Sequence, residues 1–347
     1  MASGWQAFLT GNGARIEGNS VQDFGRPKDE TRAAVLRNFI TDLSSLAIVV
    51  ISGANAEVFL QGQFTSDIRK LHDACFQFSA WCNPKGRVIA NFIIFRLNNR
   101  YFLLLPDELK QSFIKKLQMY VLRADVSIDD RGNELIRMGI LARDRQRLQV
   151  AGLGDVIRKH SMKIIRHHEL NVIPLHGEGI RMIVVGPEQP MRQLWQTLTQ
   201  DFVPVGSRYW QLQDVLSGFA WINKHSSESL LPQSLNLDCL DGVSFDKGCY
   251  TGQEIVGRLH YRGRLKQRLF LASLPPDTPA DTGTRLYMQK FDHPIGTIVN
   301  AAIHPEKGLQ VLAVVDIDKA GSNRAHLGNV DGPVLDFEPL PYPVEKG

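Results

Sequence analysis

The sequence predicts an α+β fold followed by an all-β module. In the first part of the chain, strand pairs alternate with helices but lack the strand–helix–strand rhythm of a parallel sheet. After about residue 263, short apolar runs are separated by Pro, Gly, Asp and Asn, a pattern typical of a small barrel or sandwich. The 347 residues suit about two domains. We therefore predict an N-terminal tail over 1–40, a main domain over 41–260 and a β-barrel domain over 261–347.

The elements of the first part follow from local composition. Asn83-Pro84-Lys85-Gly86 has the chemistry of a type I turn and predicts an antiparallel meander around it. Asp107 is expected to cap a helix. Helices are predicted after Gly53-Ala54-Asn55, over 107–120 and over 187–199. Strands are predicted at 46–52, 75–81, 88–97, 101–105, 126–129, 135–141 and 181–186, and in the last part at 269–274, 295–303, 309–317 and 334–338.

Composition excludes several classes of protein. Hydrophobic residues make up 43% and charged residues 22% of the chain, so disorder is not expected. A net charge of +4 permits an anionic ligand or RNA but is modest for a dedicated nucleic-acid binder. The first twenty residues lack the apolar segment of a secretory leader, and no apolar run is long enough to span a membrane. We expect a cytoplasmic protein with reduced thiols and no resident metal.

One segment, residues 244–254 with the sequence SFDKGCYTGQE, differs from the rest. Cys249 lies between two glycines, which permit tight turns and close ligand approach. Lys247 is two residues away, and a neighbouring cation favours the reactive thiolate. Glu254 is expected to pair with a cation or with an N–H of a ligand. A buried, inert cysteine in a tight turn is the alternative, and both interpretations stay open.

Two runs of alternating basic residues follow a strand-like period. On a strand, each run would place its charges on one face, which suits phosphates, carboxylates or an RNA backbone. A solvated strand face is the simpler interpretation. The runs are Arg262, Arg264, Lys266 and Arg268, and Arg143, Arg145 and Arg147.

The segment from Lys247 to Glu254 is similar to the K-G-C-Y-x-G-Q-E signature of the YgfZ family, a folate-binding branch of the glycine-cleavage T-protein superfamily. The resemblance covers about residues 43–345, and the eight-residue signature is its specific part. Weaker matches are Leu231-Pro232-Gln233, Asn236-Leu237, Tyr261-Arg262-Gly263, Gly53 with Phe59-Leu60-Gln61-Gly62-Gln63, Thr65-Ser66-Asp67, Cys82-Asn83-Pro84-Lys85-Gly86 and Glu338-Pro339-Leu340-Pro341-Tyr342.

The resemblance implies a T-protein-like body of interlocked subdomains around a folate cavity, followed by a β-barrel. It also implies binding of tetrahydrofolate or a one-carbon derivative. The implied role is the assembly or repair of iron–sulfur enzymes, which would be the client proteins of this chain. One client modifies tRNA, so tRNA or its modifying enzyme is a further candidate partner. Cys249 would be the functional thiol, with Lys247 and Glu254 beside it as catalytic residues.

The resemblance also names folate contacts. A tryptophan associated with folate in relatives falls on Trp210, and a second aromatic position falls on Leu46, where this chain departs from the family. Trp210 among apolar neighbours is equally well explained as a core residue. Gln253, Tyr250 and Arg262 are the further predicted folate-binding residues.

A contrast with the aminomethyltransferases bears on activity. Their hairpin reads G-G-I-x-D-D, and an aspartate there handles the folate amine. The matching segment here runs from Gly86 to Asn91 and ends in Ala90-Asn91. Neither side chain can act as a carboxylate base. Three hypotheses follow: an accessory protein for iron–sulfur enzymes, a folate-dependent methyl or aminomethyl transferase, and an RNA-binding module. Whether the chain is an enzyme stays open.

Overall fold

The computed structural model describes residues 4–154, 162–320 and 325–344. Its helices are α1 (Gly4–Gly11), α2 (Pro27–Leu36), α3 (Ala56–Gln61), α4 (Asp107–Gln118), α5 (Glu188–Leu198), α6 (Ser207–Leu216), α7 (Gln253–Arg262) and α8 (Ile317–Ala320). Short 3₁₀ helices cover Ile68–Lys70, Arg145–Ala151 and Gln233–Leu235.

The strands confirm the predicted α+β class. They are β1 (Arg15–Glu17), β2 (Ser20–Asp23), β3 (Phe39–Asp42), β4 (Leu46–Ser52), β5 (Phe76–Cys82), β6 (Val88–Leu97), β7 (Arg100–Pro106), β8 (Ser127–Asp130), β9 (Ile136–Ala142), β10 (Ile165–His167), β11 (Leu170–Leu175), β12 (Ile180–Gly186), β13 (Val203–Pro204), β14 (Gln267–Leu274), β15 (Arg285–Tyr287), β16 (Gly296–His304), β17 (Gly308–Asp316), β18 (His326–Leu327) and β19 (Asp336–Glu338).

Two large sheets form the body. One has the order β5-β6-β7-β4-β8 and is antiparallel throughout. Its strand β4 is almost entirely buried, as the continuous apolar run predicts. The other has the order β10-β11-β12-β9-β3-β13, in which only the short pair β3–β13 is parallel among the described strands. The first sheet lies in the largest apolar core, whereas the second faces a separate core with the N-terminal helix.

The C-terminal strands form a small barrel. Their order is β18-β15-β16-β17-β14-β19. The two edges meet, because the amide of Leu335 donates to the carbonyl of Ala325 at 2.9 Å and His326 bridges to Val334. This closure leaves little exposed strand edge. The inner side chains form a third core of their own.

Helix α6 lies where these parts meet. It contacts β2 and β3 on one side and the barrel strands β16 and β17 on the other. Most of its side chains are therefore buried, including the polar ones of Gln213 and Asp214. This central position sets the geometry of the cavity described below.

The N-terminal tail prediction was wrong. Residues 4–36 form α1, the β1–β2 hairpin and α2. Trp5 is 1% exposed, and its Nε1–H donates to Oδ1 of Asp42 at 2.7 Å. The segment is polar on average, but its few large apolar residues are spaced to enter the second core, which composition alone does not show.

Two further local predictions were wrong. Pro106, rather than Asp107, occupies the N-cap of α4, and Asp107 instead pairs with Lys110 at 3.0 Å. The predicted boundary between residues 260 and 261 lies inside α7, which ends at Arg262 before β14 begins at Gln267.

The alternating basic runs do not form strand faces. Arg262 ends a helix, Arg264 and Lys266 precede β14, and Arg268 on β14 is buried against Asp238. In the other run, Arg143 donates to backbone carbonyls of α2, and the remaining arginines lie in a 3₁₀ helix. None of the helices in the described part of the chain combines the length and apolar character needed to cross a bilayer.

Candidate ligand cavity and cysteine loop

A cavity of about 490 Å³ lies at the junction of the body and the barrel. Its wall is built from α6, the β3–β4 turn, the start of α4, the segment 219–223 and strand β16. This volume lies in the range of small-molecule sites, which favour such junctions. The cavity is therefore the candidate ligand site.

Trp210 of α6 lines this cavity. Its ring packs so closely on Gly139 of β9 that an added Cβ there would lie 2.5 Å from Cε3 of the ring. The Arg181 guanidinium lies 4.6 Å from the ring centroid, within cation–π distance. The buried Nε1–H of Trp210 has no hydrogen-bond partner among the described residues.

A buried acid lies beside Trp210. Asp214 accepts hydrogen bonds from Arg181 and, at 3.0 Å, from Nε1 of Trp221. Burial raises the pKa of the Asp214 carboxyl, while both donors favour its ionised form. Asp214 also lines the cavity, so one edge of its carboxylate can serve a ligand N–H.

The charged groups in the cavity wall are acidic. Asp107, Glu108 and Asp214 line it, and no Lys or Arg is among its described lining residues. Asp107 also accepts from Asn19 at 2.8 Å. The acidic wall therefore favours a ligand that places a ring rich in N–H donors inside the cavity. An anionic part of the same ligand is favoured outside the cavity, in solvent.

Leu46, the predicted partner of Trp210, also lines the cavity and is 7% exposed. It is the first residue of β4 and pairs with Pro106. As an aliphatic side chain it supplies apolar contact without an aromatic face. Sequence reasoning missed Trp221, which lies in the irregular segment 219–223 and also lines the cavity. No local periodicity marks that segment.

Cys249 lies away from this cavity. Its loop packs on the chain after α3, where the Thr251 amide donates to the Gly62 carbonyl at 3.3 Å, and on the β5–β6 turn. Gly252 has φ +86°, and a Cβ there would lie 2.6 Å from the carbonyl oxygen of Asn83. The thiol side chain is exposed at the surface. The structure thus separates the predicted thiol from Trp210 and Leu46.

Lys247 is buried and holds the loop in place. Its ammonium donates to the backbone carbonyls of Phe64 and Ser66, both at 2.7 Å, and lies 5.1 Å from the Tyr250 ring centroid. Burial lowers the pKa of Lys247 to about 8, an effect that Asp67 opposes and Arg69 supports. The carbonyl contacts give Lys247 a structural task.

Other predicted residues also lie in or after this loop. Gln253 donates from Nε2 to the Lys247 carbonyl at 3.3 Å, and Tyr250 is buried. Glu254 and Arg262 are exposed at opposite ends of α7. None of these four lines the central cavity. Within the described residues, no cluster of three or more His, Cys, Asp or Glu side chains could hold a metal ion.

Replacing Lys247 with Met should remove a pH dependence of stability. The unfolded lysine titrates near 10.5 and the folded one near 8, so between these values the unfolded chain binds more protons. Wild-type stability then rises with pH in this window, by at most about 1.4 kcal/mol per unit. Urea unfolding at pH 7.5 and 9.5 measures it. Lys266→Met, at an exposed lysine, is the control and should keep the rise. An equal rise in the Lys247 variant would contradict the assignment.

Asn91 ends the segment that the resemblance aligns with the acidic hairpin of the aminomethyltransferases. It is fully buried, its Nδ2 donates to the Ala220 carbonyl, and its Oδ1 accepts from the Ile222 amide, both at 2.8 Å. Both polar atoms are thus used to hold a wall segment of the cavity. Asn91 therefore has a structural task, and its carboxamide cannot act as a carboxylate base.

Known proteins resemble this chain in sequence and in fold. The GCVT N-terminal domain family matches residues 20–143. The "tRNA-modifying protein YgfZ" of Escherichia coli O157:H7 (strain EC4115 / EHEC) is 27% identical over 324 residues, which cover 92% of this chain and 98% of that protein. The protein of the same name from Escherichia fergusonii is 28% identical over the same shares.

The fold comparison extends over almost the whole molecule. The crystal structure of glycine cleavage system aminomethyltransferase T from Bartonella henselae superposes with a TM-score of 0.79, at 14% identity, over 97% of this chain and 96% of that one. The fold and its central cavity define a T-protein-like α+β protein with a C-terminal barrel. Within that class, the chain is similar over almost its whole length to proteins named YgfZ.

Proposed function

We propose that this protein binds tetrahydrofolate, or a one-carbon derivative, in the central cavity and acts as an accessory protein in the assembly or repair of iron–sulfur enzymes. The observation that carries the proposal is the central cavity, which is lined by Trp210 and by the carboxylate of Asp214 beside it. The name of the relatives, "tRNA-modifying protein", fits an indirect contribution to tRNA modification through a client enzyme.

The wall chemistry fits a pterin. A pterin is flat and carries N–H donors on its pyrimidine edge and acceptors elsewhere. Trp210 offers an aromatic surface, and Asp214 offers acceptors. The glutamate tail of a folate is anionic, so the acidic wall favours its placement toward solvent. A reduced folate would supply one-carbon chemistry when bound, and these residues would bind and orient it.

The position of Cys249 supports a second task for the protein. An exposed thiol outside the cavity is accessible to a macromolecule, whereas a group inside the cavity is not. We therefore assign Cys249 to contact with client proteins. Lys247 holds the loop through the carbonyls of Phe64 and Ser66, and Glu254 stays exposed beside it at the start of α7.

The transferase alternative loses support because Asn91 cannot act as a base and both its polar atoms are bonded to backbone. The RNA-binding alternative loses its main support because the basic runs do not form strand faces. Localisation in the cytoplasm remains part of the proposal and follows from the expected redox state of the thiols.

Calorimetric titration with tetrahydrofolate under anaerobic, reducing conditions tests the binding step. Saturable binding at one site would support the proposal. A folded protein that gives no heat of binding at any accessible concentration would overturn it and return attention to macromolecular partners.

Cys249→Ser is expected to separate the two tasks. Because the thiol lies outside the cavity, the variant should bind tetrahydrofolate with wild-type affinity and keep the wild-type unfolding temperature. In cells that lack the protein it should fail to restore the activity of iron–sulfur enzymes. Cys75→Ser, at a partly exposed cysteine elsewhere, is the matched control and should restore it. Full restoration by the Cys249 variant would remove the thiol from the proposed function.

A further inference from the structure

We propose that Trp221 is the second aromatic wall of the central cavity, and that Asn300 of the barrel is the residue that positions it. This deepens the proposed function and rests on it. The position expected to supply a second aromatic ring holds Leu46, so a flat ligand would lack one aromatic contact there. Trp221, far away in sequence, lines the same cavity.

The indole of Trp221 is oriented by two contacts. Its Nε1–H donates to Oδ2 of Asp214 at 3.0 Å, and its ring meets Phe219 edge-on with centroids 4.8 Å apart. Asp214 is itself bonded to Arg181, whose guanidinium lies on the Trp210 ring. One polar chain therefore links the two tryptophans, and each indole has a defined orientation before any ligand binds.

The backbone around Trp221 is held from two sides. Asn300 accepts from the Trp221 amide at 2.9 Å and donates to its carbonyl at 3.1 Å. Asn91 makes the equivalent pair of bonds to the flanking residues 220 and 222. The side-chain amides of Asn91 and Asn300 thus supply the hydrogen bonds that neighbouring strands would give to a strand. They hold a segment that has no regular secondary structure.

A β-bulge in the barrel makes the Asn300 contact possible. The register between β16 and β17 shifts between Ile298 and Asn300, so that Asn300 lies opposite Leu312. Leu312 and Val299 belong to the core of the body, whereas Ile298 belongs to the core of the barrel. The extra residue therefore turns Asn300 toward the body instead of the barrel interior, as bulges commonly re-aim a side chain.

The barrel consequently completes the ligand site. Thr282 and Ala301 of the same module also line the cavity. The ligand class that follows is a flat, donor-rich heteroaromatic ring that contacts two indoles and a carboxylate. Selectivity for such a ring depends on Trp221 and on its support by Asn300.

Titration with tetrahydrofolate, followed by calorimetry and by quenching of tryptophan fluorescence, tests the assignment. Trp221→Leu should weaken binding by about 5- to 100-fold, as loss of one stacking contact does, whereas Trp221→Phe should retain most of the affinity. Asn300→Ala should weaken binding by about 5- to 10-fold through loss of its two hydrogen bonds. Asn300→Ala should also increase acrylamide quenching of Trp221 in the ligand-free protein.

Two controls match these variants. Trp195→Phe removes a buried tryptophan of the second core, and Asn329→Ala removes an asparagine from a barrel turn. Both should bind as the wild type does. If Trp221→Leu binds tetrahydrofolate with the same affinity as the wild-type protein, the role of Trp221 is overturned and the proposed function stays intact. If the wild-type protein binds no folate, both the role of Trp221 and the proposed function are overturned. Unchanged acrylamide quenching in Asn300→Ala would overturn the positioning role.

Discussion

Asp214→Asn is expected to lower the free energy of unfolding by about 3–5 kcal/mol, because it leaves the Arg181 charge buried without its partner. The side chain of Arg181 is 2% exposed and that of Asp214 is 10% exposed, so solvent compensates little for the lost charge. The substitution keeps the size of the side chain and removes its charge. Urea unfolding at pH 7, with the midpoint and slope measured separately, gives the loss.

The exposed pair Arg264–Asp318 provides the matched control. Both of its side chains are 72% exposed. Asp318→Asn removes the same charge but should change the free energy of unfolding by less than about 1 kcal/mol. Similar losses of unfolding free energy in the two variants would mean that burial does not determine how much the Arg181–Asp214 pair contributes to stability. Folate binding should also weaken in Asp214→Asn and stay unchanged in the control.

Asn91→Asp is the second substitution with a large expected effect. It introduces at this position the acid that the resemblance assigns to a transferase, yet we expect a loss of stability of about 3–5 kcal/mol and no transferase activity. The Ala220 carbonyl, which accepts from Asn91 at 2.8 Å, would face a carboxylate oxygen instead of an N–H. The bond from the Ile222 amide alone does not offset a buried charge.

The loss in Asn91→Asp should shrink toward pH 4. Burial raises the pKa of the introduced carboxyl above its unfolded value near 3.9, so the folded state binds more protons and stability falls as pH rises between the two values. The protonated acid also regains a donor for the Ala220 carbonyl. Asn171→Asp, at a half-buried position on β11, should cost less than about 1 kcal/mol. A loss that is independent of pH, or activity with a lipoylated carrier protein, would contradict the structural assignment of Asn91.

Local chemistry accounts for the parts of the fold that the sequence predicts. The β5–β6–β7 meander is confirmed because its turn is encoded in four consecutive residues, and the Gly86 amide does donate to the Asn83 carbonyl at 2.9 Å. Strand β4 is confirmed because a continuous apolar run can be buried on both faces. The N-terminal segment was missed because its burial depends on partners such as Asp42, more than thirty residues away.

The candidate site is less accessible to sequence reasoning. Trp210 and Leu46 were named from family resemblance, and both line the cavity. Trp221 was missed because its orientation depends on Asn300, which a bulge in a distant strand turns toward it. The predicted contacts Gln253, Tyr250 and Arg262 follow the signature cysteine in sequence, but neighbours in sequence do not have to line the same cavity.

The packing of the cysteine loop has a consequence for how its motif is interpreted in other genomes. Lys247, Thr251 and Gly252 are fixed by contacts to the chain after α3 and to the β5–β6 turn, and none of these contacts involves the thiol. A chain with serine or alanine at position 249 could form the same loop. A match to the motif therefore indicates the shape of the loop, and only the residue at position 249 shows whether a homologue carries a thiol there.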